Sequence, residues 1–88
     1  MTANPRRRKE ILERAVGPDK LLYDTANKTV HVLNGSADFL WQRCDGSRNL
    51  EEIAEEAAST FGESLAVVSA DLHQCLQSFE SLALIEQD

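Results

Sequence analysis

The C-terminal part of this 88-residue sequence contains no lysine and no arginine. All nine basic residues lie at or before Arg48, where the net charge is +3, whereas residues 49–88 carry nine acidic residues and a net charge of −9. Surfaces that bind nucleic acid are usually basic, because neutralised phosphates supply much of the affinity. The acidic C-terminal part is therefore a poor candidate for a nucleic-acid interface.

Long apolar runs are also missing, since none approaches the ~18 residues that can cross a bilayer. The N-terminal stretch MTANPRRRKEILERA has basic residues with no apolar core after them, so it does not predict a secretory signal. The two cysteines, Cys44 and Cys75, are then expected to be reduced and buried rather than paired. These features together predict a cytoplasmic protein without a membrane partner.

The sequence offers no catalytic constellation. His31 and His73 are far apart in the chain, and the spacing of His73 and Cys75 would place them on different sides of a helix. The four glycines are isolated at predicted turns, so no phosphate-binding loop is indicated. We therefore predict a protein that is not an enzyme and has no catalytic residue, metal site or cofactor.

Residues 1–10 form a basic, polar segment that we expect to be flexible. Residues 11–88 are predicted to form a single domain. Its first part contains three short segments of strand composition separated by turn signals: Ile11–Val16, Lys20–Asp24 and Thr29–Leu33. Because the connections are short, these strands are predicted to form an antiparallel meander.

The second part has the periodicity of three helices. The first is predicted to be capped by Asn34 or Ser36, and the second by Asn49, with Glu52 completing a capping box and Gly62 ending the helix. The third is predicted to begin near Ser64 and to continue to about Ala83. The predicted apolar face of the first helix comprises Ala37, Leu40, Trp41 and Cys44; that of the second comprises Leu50, Ile53, Ala54, Ala57 and Phe61; that of the third comprises Leu65, Val68, Leu72, Cys75, Leu76, Phe79, Leu82 and Ala83.

Three strands followed by three helices predict an α+β domain that resembles a winged helix-turn-helix. That arrangement leaves three functional hypotheses. The domain could bind an extended peptide at an exposed strand edge, regulate transcription as a winged-helix DNA-binding protein, or act as an adaptor that contacts only another protein. The predicted third helix lacks basic residues and carries Asp71 and Glu80, which argues against DNA binding.

Several short motifs, in this order and spacing, resemble the PqqD family from about Lys20 to Ile85. The motifs are LLYD at residues 21–24, VLN at 32–34, SA at 36–37, LW at 40–41, DG at 45–46, LEEI at 50–53, FG at 61–62, DL at 71–72 and LALI at 82–85. Ala83 stands where the family often has glycine, which predicts a slightly longer last helix.

The resemblance implies a RiPP recognition element, a winged-helix-like domain that binds the leader of a ribosomally synthesised precursor peptide. It implies presentation of that peptide to a radical SAM enzyme or to a leader peptidase of the lasso-peptide type, with no nucleic acid involved. A homodimer formed through the same sheet edge would compete with peptide binding. In the family the leader adds as a strand beside the third strand and lies against the third helix. Carried to this chain, the peptide-binding residues are Thr29, Val30, His31, Val32 and Leu33 on the strand and Val67, Ala70, Asp71, Gln74 and Ser78 on the helix.

Overall fold

The computed structural model describes residues 4–33 and 35–87. The elements in chain order are β1 (Pro5–Arg7), β2 (Ile11–Val16), β3 (Asp19–Asp24), β4 (Thr29–Leu33), α1 (Gly35–Gln42), α2 (Leu50–Phe61), α3 (Leu65–Ser81) and β5 (Ile85–Gln87). The predicted α+β architecture, a three-stranded antiparallel sheet followed by three helices, is confirmed. Asn34, one of the two predicted caps of α1, lies outside the described residues.

The meander has the strand order β2-β3-β4. In its register, Ile11 pairs with Asp24, Tyr23 with Val30, and Lys20 with Leu33. Gly17 supports the tight turn between β2 and β3, because its φ of +61° lies in the left-handed region that glycine adopts at little steric cost. The three predicted strands are therefore present, with β3 beginning one residue earlier than the sequence indicates.

The caps of α2 follow the sequence prediction. The Glu52 amide donates to the Asn49 side chain at 2.9 Å, and the Asn49 amide donates to the Glu52 carboxylate at 2.9 Å. Gly62 ends the helix with a φ of +67°. Ser64 accepts a hydrogen bond from the Val67 amide at the start of α3. At α1, Ser36 lies inside the helix rather than before it, so its predicted role as cap is wrong.

The core lies between the inner face of the sheet and the three helices. Leu22 and Leu33 reach it from the sheet, and Leu40, Trp41 and Cys44 reach it from α1 and the residues after it. From α2 it receives Leu50, Ile53, Ala54 and Ala57, and from α3 Val68, Leu72 and Phe79. Phe61, predicted on the apolar face of α2, is 45% exposed, although its ring packs against that of Phe39 with centroids 5.1 Å apart. No helix in the described ranges has the length and hydropathy needed to span a membrane.

The two ends of the described chain pair with each other, a feature the sequence does not predict. β1 and β5 form a two-stranded antiparallel sheet in which Arg6 pairs with Glu86. Pro5 is buried, and the Arg7 amide donates to the Cys44 carbonyl at 2.8 Å. Residues 5–7 thus differ from the flexible segment expected at residues 1–10, because the C-terminal strand and the end of α1 supply partners for their backbone.

The end of α3 also differs from the expectation. The helix ends at Ser81, and Ala83 has a φ of +58°, so the residue predicted to lengthen the helix instead adopts the left-handed conformation that terminates it. The Leu84 amide then donates to the Phe79 carbonyl at 2.9 Å. This reversal directs the chain into β5 and places Leu84 in the core.

Candidate functional site

Strand β4 has one unpaired edge. In the part of the chain that the structure describes, it pairs with β3 and with no other strand. Alternate residues of an edge strand point their N–H and C=O groups away from the sheet, where another extended chain can pair with them. The edge of β4 is therefore a potential site of strand addition.

The turn before β4 is held by a buried carboxylate. Asp24 is only 1% exposed, and one of its oxygens accepts hydrogen bonds from the Ala26 amide at 3.0 Å and the Asn27 amide at 3.1 Å. Its other oxygen accepts from the Asn27 side chain at 2.8 Å. The hydrogen bonds from Asn27 lower the pKa of Asp24, with a smaller contribution from Ala26. Lys28 takes the left-handed backbone conformation in this turn, with a φ of +57°. The turn therefore fixes where β4 begins.

The two faces of β4 differ in exposure. Leu33 is buried against the helices, and His31 is half-buried on the same face. Val30 and Val32, on the opposite face, are each 59% exposed. The Thr29 hydroxyl lies 3.2 Å from the His31 Nε2 atom. A chain added to this edge would therefore extend both faces of the sheet. One is the exposed apolar face of Val30 and Val32, and the other is the face of His31 and Leu33, which is turned toward α3.

A groove with a volume of about 420 Å³ separates β4 from the C-terminal half of α3. Its lining is mostly apolar, with Ser78 as the one hydroxyl side chain. The lining residues are Val30, His31, Val32, Leu33, Ala37, Cys75, Ser78, Phe79, Leu82 and Leu84. An apolar groove beside an open strand edge provides main-chain hydrogen bonds together with pockets for alternate side chains.

The helical wall of the groove is anchored by aromatic packing. Phe79 lines the groove and is 2% exposed, and its ring meets Trp41 of α1 edge to face, with centroids 5.7 Å apart. Trp41 is completely buried. Lys20 connects the sheet to α1 as well, because its ammonium lies 3.1 Å from carboxylates of both Glu13 and Asp38. These contacts fix the spacing between α3 and β4.

The structure brings together the predicted strand residues and one of the five predicted helix residues. Ser78 lines the groove with Val30, His31, Val32 and Leu33, and Thr29 lies at the start of the same strand. Val67, Ala70, Asp71 and Gln74 are exposed on the N-terminal two-thirds of α3 and do not line the groove. Asp71 lies one helical turn before Cys75, so it continues the groove-facing side of the helix.

Five groove residues were not predicted as site residues: Ala37, Cys75, Phe79, Leu82 and Leu84. The helical periodicity placed Ala37, Cys75, Phe79 and Leu82 on predicted core faces, and Phe79 is indeed buried, as is Leu84. Leu82 is 44% exposed although it follows the core periodicity of α3. The signal that could have identified it is its position beside the helix end, where a side chain on the core face can reach past the core toward the edge of β4.

The thiols of the chain are poor nucleophiles. Cys44 is buried, its Sγ lies 3.2 Å from the Leu40 carbonyl, and burial raises its pKa to about 12. Cys75 is half-buried rather than buried as expected, and its pKa is raised by burial and by the Asp71 carboxylate. Reactive cysteines require the opposite, a stabilised thiolate. Across residues 4–33 and 35–87, no three His, Cys, Asp or Glu side chains are grouped so that they could hold a metal ion.

Comparisons with known proteins agree with this geometry. The family model described as coenzyme PQQ synthesis protein D (PqqD) matches residues 19–85. No curated protein sequence matches the chain. The fold is similar to that of TbiB1 in complex with the TbiA(beta) leader peptide, with a TM-score of 0.81 and 16% identity over 92% of this chain and 94% of that one. It is also similar to a lasso peptide synthetase B1 complexed with the leader peptide, with a TM-score of 0.82 and 18% identity over 94% of this chain and 98% of that one.

Proposed function

The chain belongs to the PqqD family, as its motifs predict, and from this premise we propose that it is a non-catalytic protein that binds the leader of a ribosomally synthesised precursor peptide. The observation that carries the proposal is the unpaired edge of β4 beside the apolar groove under α3. The leader would add to β4 as a further strand. The chain would then present the peptide to a modifying enzyme or a leader peptidase.

In such a complex, the backbone of β4 and the side chains of the groove would have different roles. The backbone of β4 would supply hydrogen bonds that any extended peptide can make, so it would give affinity without much selectivity. Selectivity would come from side chains of the peptide that enter the groove between Leu33 and Leu82. Because successive side chains of a strand point to opposite faces, every second peptide residue would face the groove.

Peptide binding is supported by the two similar folds, each of which was solved with a leader peptide. One of those proteins is a lasso peptide synthetase component, which makes a leader peptidase a suitable candidate for the receiving enzyme; a radical SAM enzyme is the other candidate implied by the sequence. The DNA-binding hypothesis receives no comparable support. Helix α3 would have to enter the major groove, yet Leu65–Ser81 contains no lysine or arginine and carries Asp71 and Glu80.

Fluorescence anisotropy with a labelled synthetic leader tests the proposal. The leader is taken from a precursor-like reading frame beside the gene for this chain, and binding in the micromolar range or tighter is expected. Val32→Pro should abolish binding, because proline removes a backbone donor and disturbs the strand. Far-UV circular dichroism of the variant establishes that the domain is still folded.

A second set of peptides tests strand addition without changing the protein. N-methylation removes single amide donors from the leader, and in a paired strand only alternate amides face the partner. We therefore expect methylation of every second residue of the bound segment to abolish binding and methylation of the intervening residues to preserve it. No binding of any neighbouring leader contradicts the proposal, and co-purification with an enzyme without leader affinity would indicate an adaptor instead.

A further inference from the structure

The outer face of the three-stranded sheet, opposite the helices, carries an apolar surface that extends beyond the proposed peptide site, with which it shares only Val30 and Val32. Two cross-strand rows form it. The first row runs Leu12–Tyr23–Val30 and the second runs Arg14–Leu21–Val32, each with one residue from β2, β3 and β4. We call these six residues the outer sheet surface.

This surface is open to solvent. Leu12 is 56% exposed, Tyr23 42% and Val30 59%. A shallow depression of about 410 Å³ lies on it and is lined by residues of both rows together with Glu13. Antiparallel sheets with one face on a core normally present polar residues on the other face. An exposed apolar patch on a small domain is instead typical of a surface that another protein covers.

Arg14 is the one charged residue of the outer sheet surface. Its side chain is exposed, and in the described part of the chain it forms no ion pair and no hydrogen bond. The neighbouring cation Lys20 is different, because it lies on the inner face and is held by two carboxylates. A guanidinium within an apolar surface favours a partner that offers a carboxylate at the matching position.

Both rows end on β4, the strand to which the leader is proposed to add. A fourth strand at that edge would extend each row by one peptide residue, and those side chains would lie beside Val30 and Val32. Strand addition covers the edge of the sheet but leaves its outer face open. The outer sheet surface and the outward side chains of a bound peptide would therefore form one continuous surface.

We propose that the outer sheet surface docks the enzyme that receives the peptide, through an apolar surface of that enzyme that bears a carboxylate opposite Arg14. The inference rests on the proposed function. The enzyme then contacts the carrier chain and the outward side chains of the peptide together, so it binds the loaded chain more tightly than the empty one. By linkage, the enzyme also tightens the binding of the peptide by the same factor.

The test uses the maturation enzyme encoded beside this gene, purified separately, with its affinity for the full chain measured with and without the leader. The double variant Leu12→Thr/Tyr23→Thr removes apolar area while keeping residues that favour strands. Arg14→Glu reverses the charge. We expect each variant to weaken enzyme binding by roughly tenfold or more and to leave leader affinity unchanged. Leu65→Thr, an equally exposed position on α3, is the matched control and should bind the enzyme as the unaltered chain does.

The outcomes separate this proposal from the function on which it rests. Failure of the leader to bind any variant or the unaltered chain contradicts the proposed function itself. The docking proposal is overturned if the leader binds but both surface variants keep their affinity for the enzyme. It is also overturned if the leader binds and the unaltered chain has no affinity for the enzyme. Light scattering tests whether a second copy of this chain covers the surface instead. If the unaltered chain is a dimer, the double variant is a monomer and its affinity for the enzyme is unchanged, the surface serves self-association and the docking proposal is overturned.

Discussion

Trp41 and Phe79 meet edge to face across the core, with ring centroids 5.7 Å apart and ring planes at 86°. Trp41 belongs to α1 and Phe79 to α3, and Phe79 also lines the groove beside β4. The only tryptophan of the chain does not itself line the groove but packs against Phe79, which forms part of its wall. Trp41 therefore serves the site indirectly, through its contact with α3.

Replacement of Trp41 should therefore affect stability first. Trp41→Ala removes a completely buried indole, and we expect it to lower the free energy of unfolding by about 3–5 kcal/mol. Trp41→Phe keeps an aromatic ring against Phe79 and should lower the free energy of unfolding clearly less. Urea unfolding followed by far-UV circular dichroism measures both. Tyr23→Ala, at an exposed aromatic, is the control, and a loss for Trp41→Ala no larger than for Tyr23→Ala would contradict the assignment.

Ala83 is strained in the structure and should be improved by glycine. Its φ of +58° places an L-residue in the left-handed region, which costs roughly 1–2 kcal/mol that glycine does not incur. After allowing for the backbone entropy of glycine, Ala83→Gly should raise the free energy of unfolding by about 0.5–1 kcal/mol. Ala70→Gly, in the exposed interior of α3, should lower it by a similar amount. Thermal or urea unfolding measures both, and equal losses in the two variants would contradict the left-handed conformation at Ala83.

Cys75 offers a chemical probe of the groove. It lines the groove and is half-buried, whereas Cys44 is fully buried with a pKa raised to about 12. In the native chain, iodoacetamide should therefore modify Cys75 slowly, faster as the pH rises because the thiolate is the nucleophile, and should leave Cys44 unmodified. Saturating leader peptide should slow the reaction further. Mass spectrometry of Cys44→Ser and Cys75→Ser variants assigns the site, and a modification rate unaffected by bound leader would place the peptide elsewhere.

Acid should destabilise the fold through two carboxylates. Hydrogen bonds from Asn27, and to a lesser degree from the Ala26 amide, lower the pKa of Asp24, and hydrogen bonds from Arg43 and then Arg48 lower the pKa of Glu56. A lowered pKa in the folded state means that the unfolded chain binds more protons in acid. The contribution of these two carboxylates to stability is therefore complete above their ordinary pKa values, 3.8 for aspartate and 4.5 for glutamate. It declines as the pH falls below those values and through the lower pKa values of the folded state.

Urea unfolding at a series of pH values from neutral to about 3 tests this linkage. The double variant Asp24→Asn/Glu56→Gln should show a shallower decline in stability below pH 4.5 than the unaltered chain does. Glu55→Gln changes the same charge on the exposed side of α2 and takes part in neither set of contacts. A decline that is equally steep in the double variant and in Glu55→Gln would show that other groups control acid unfolding.

The local elements could be predicted from the sequence because local chemistry specifies them. The capping box of Asn49 and Glu52 and the left-handed Gly62 are encoded within a few residues of each helix end. The pairing of β1 with β5 could not be predicted, because the paired residues are more than 70 positions apart in the chain. In addition, β1 has only three residues, two of which are arginines, so it lacks the composition of a strand. The same holds for the end of α3, where an alanine adopts a conformation that its propensity disfavours.

The strand half of the candidate site was predicted more fully than the helical half for the same reason. Residues 29–33 form a recognisable strand, and its position at the edge follows from the order of three short hairpin strands. Which turn of α3 faces that strand depends on how Phe79 packs against Trp41, a contact between residues 38 positions apart. Of the predicted helix residues only Ser78 lines the groove, which also includes Leu82.

Leu82 and Val67 distinguish the groove from the helix surface predicted by the sequence alone. Both are apolar and exposed, 44% for Leu82 and 53% for Val67, so truncation of either should cost little stability. Only Leu82 lines the groove beside β4. We expect Leu82→Ala to weaken leader binding by roughly tenfold, the loss typical of a well-packed interface side chain, and Val67→Ala to leave it nearly unchanged. Anisotropy titrations of the two variants decide the matter: the reverse order of effects would move the peptide toward the N-terminal part of α3, as the sequence-based set of residues predicts.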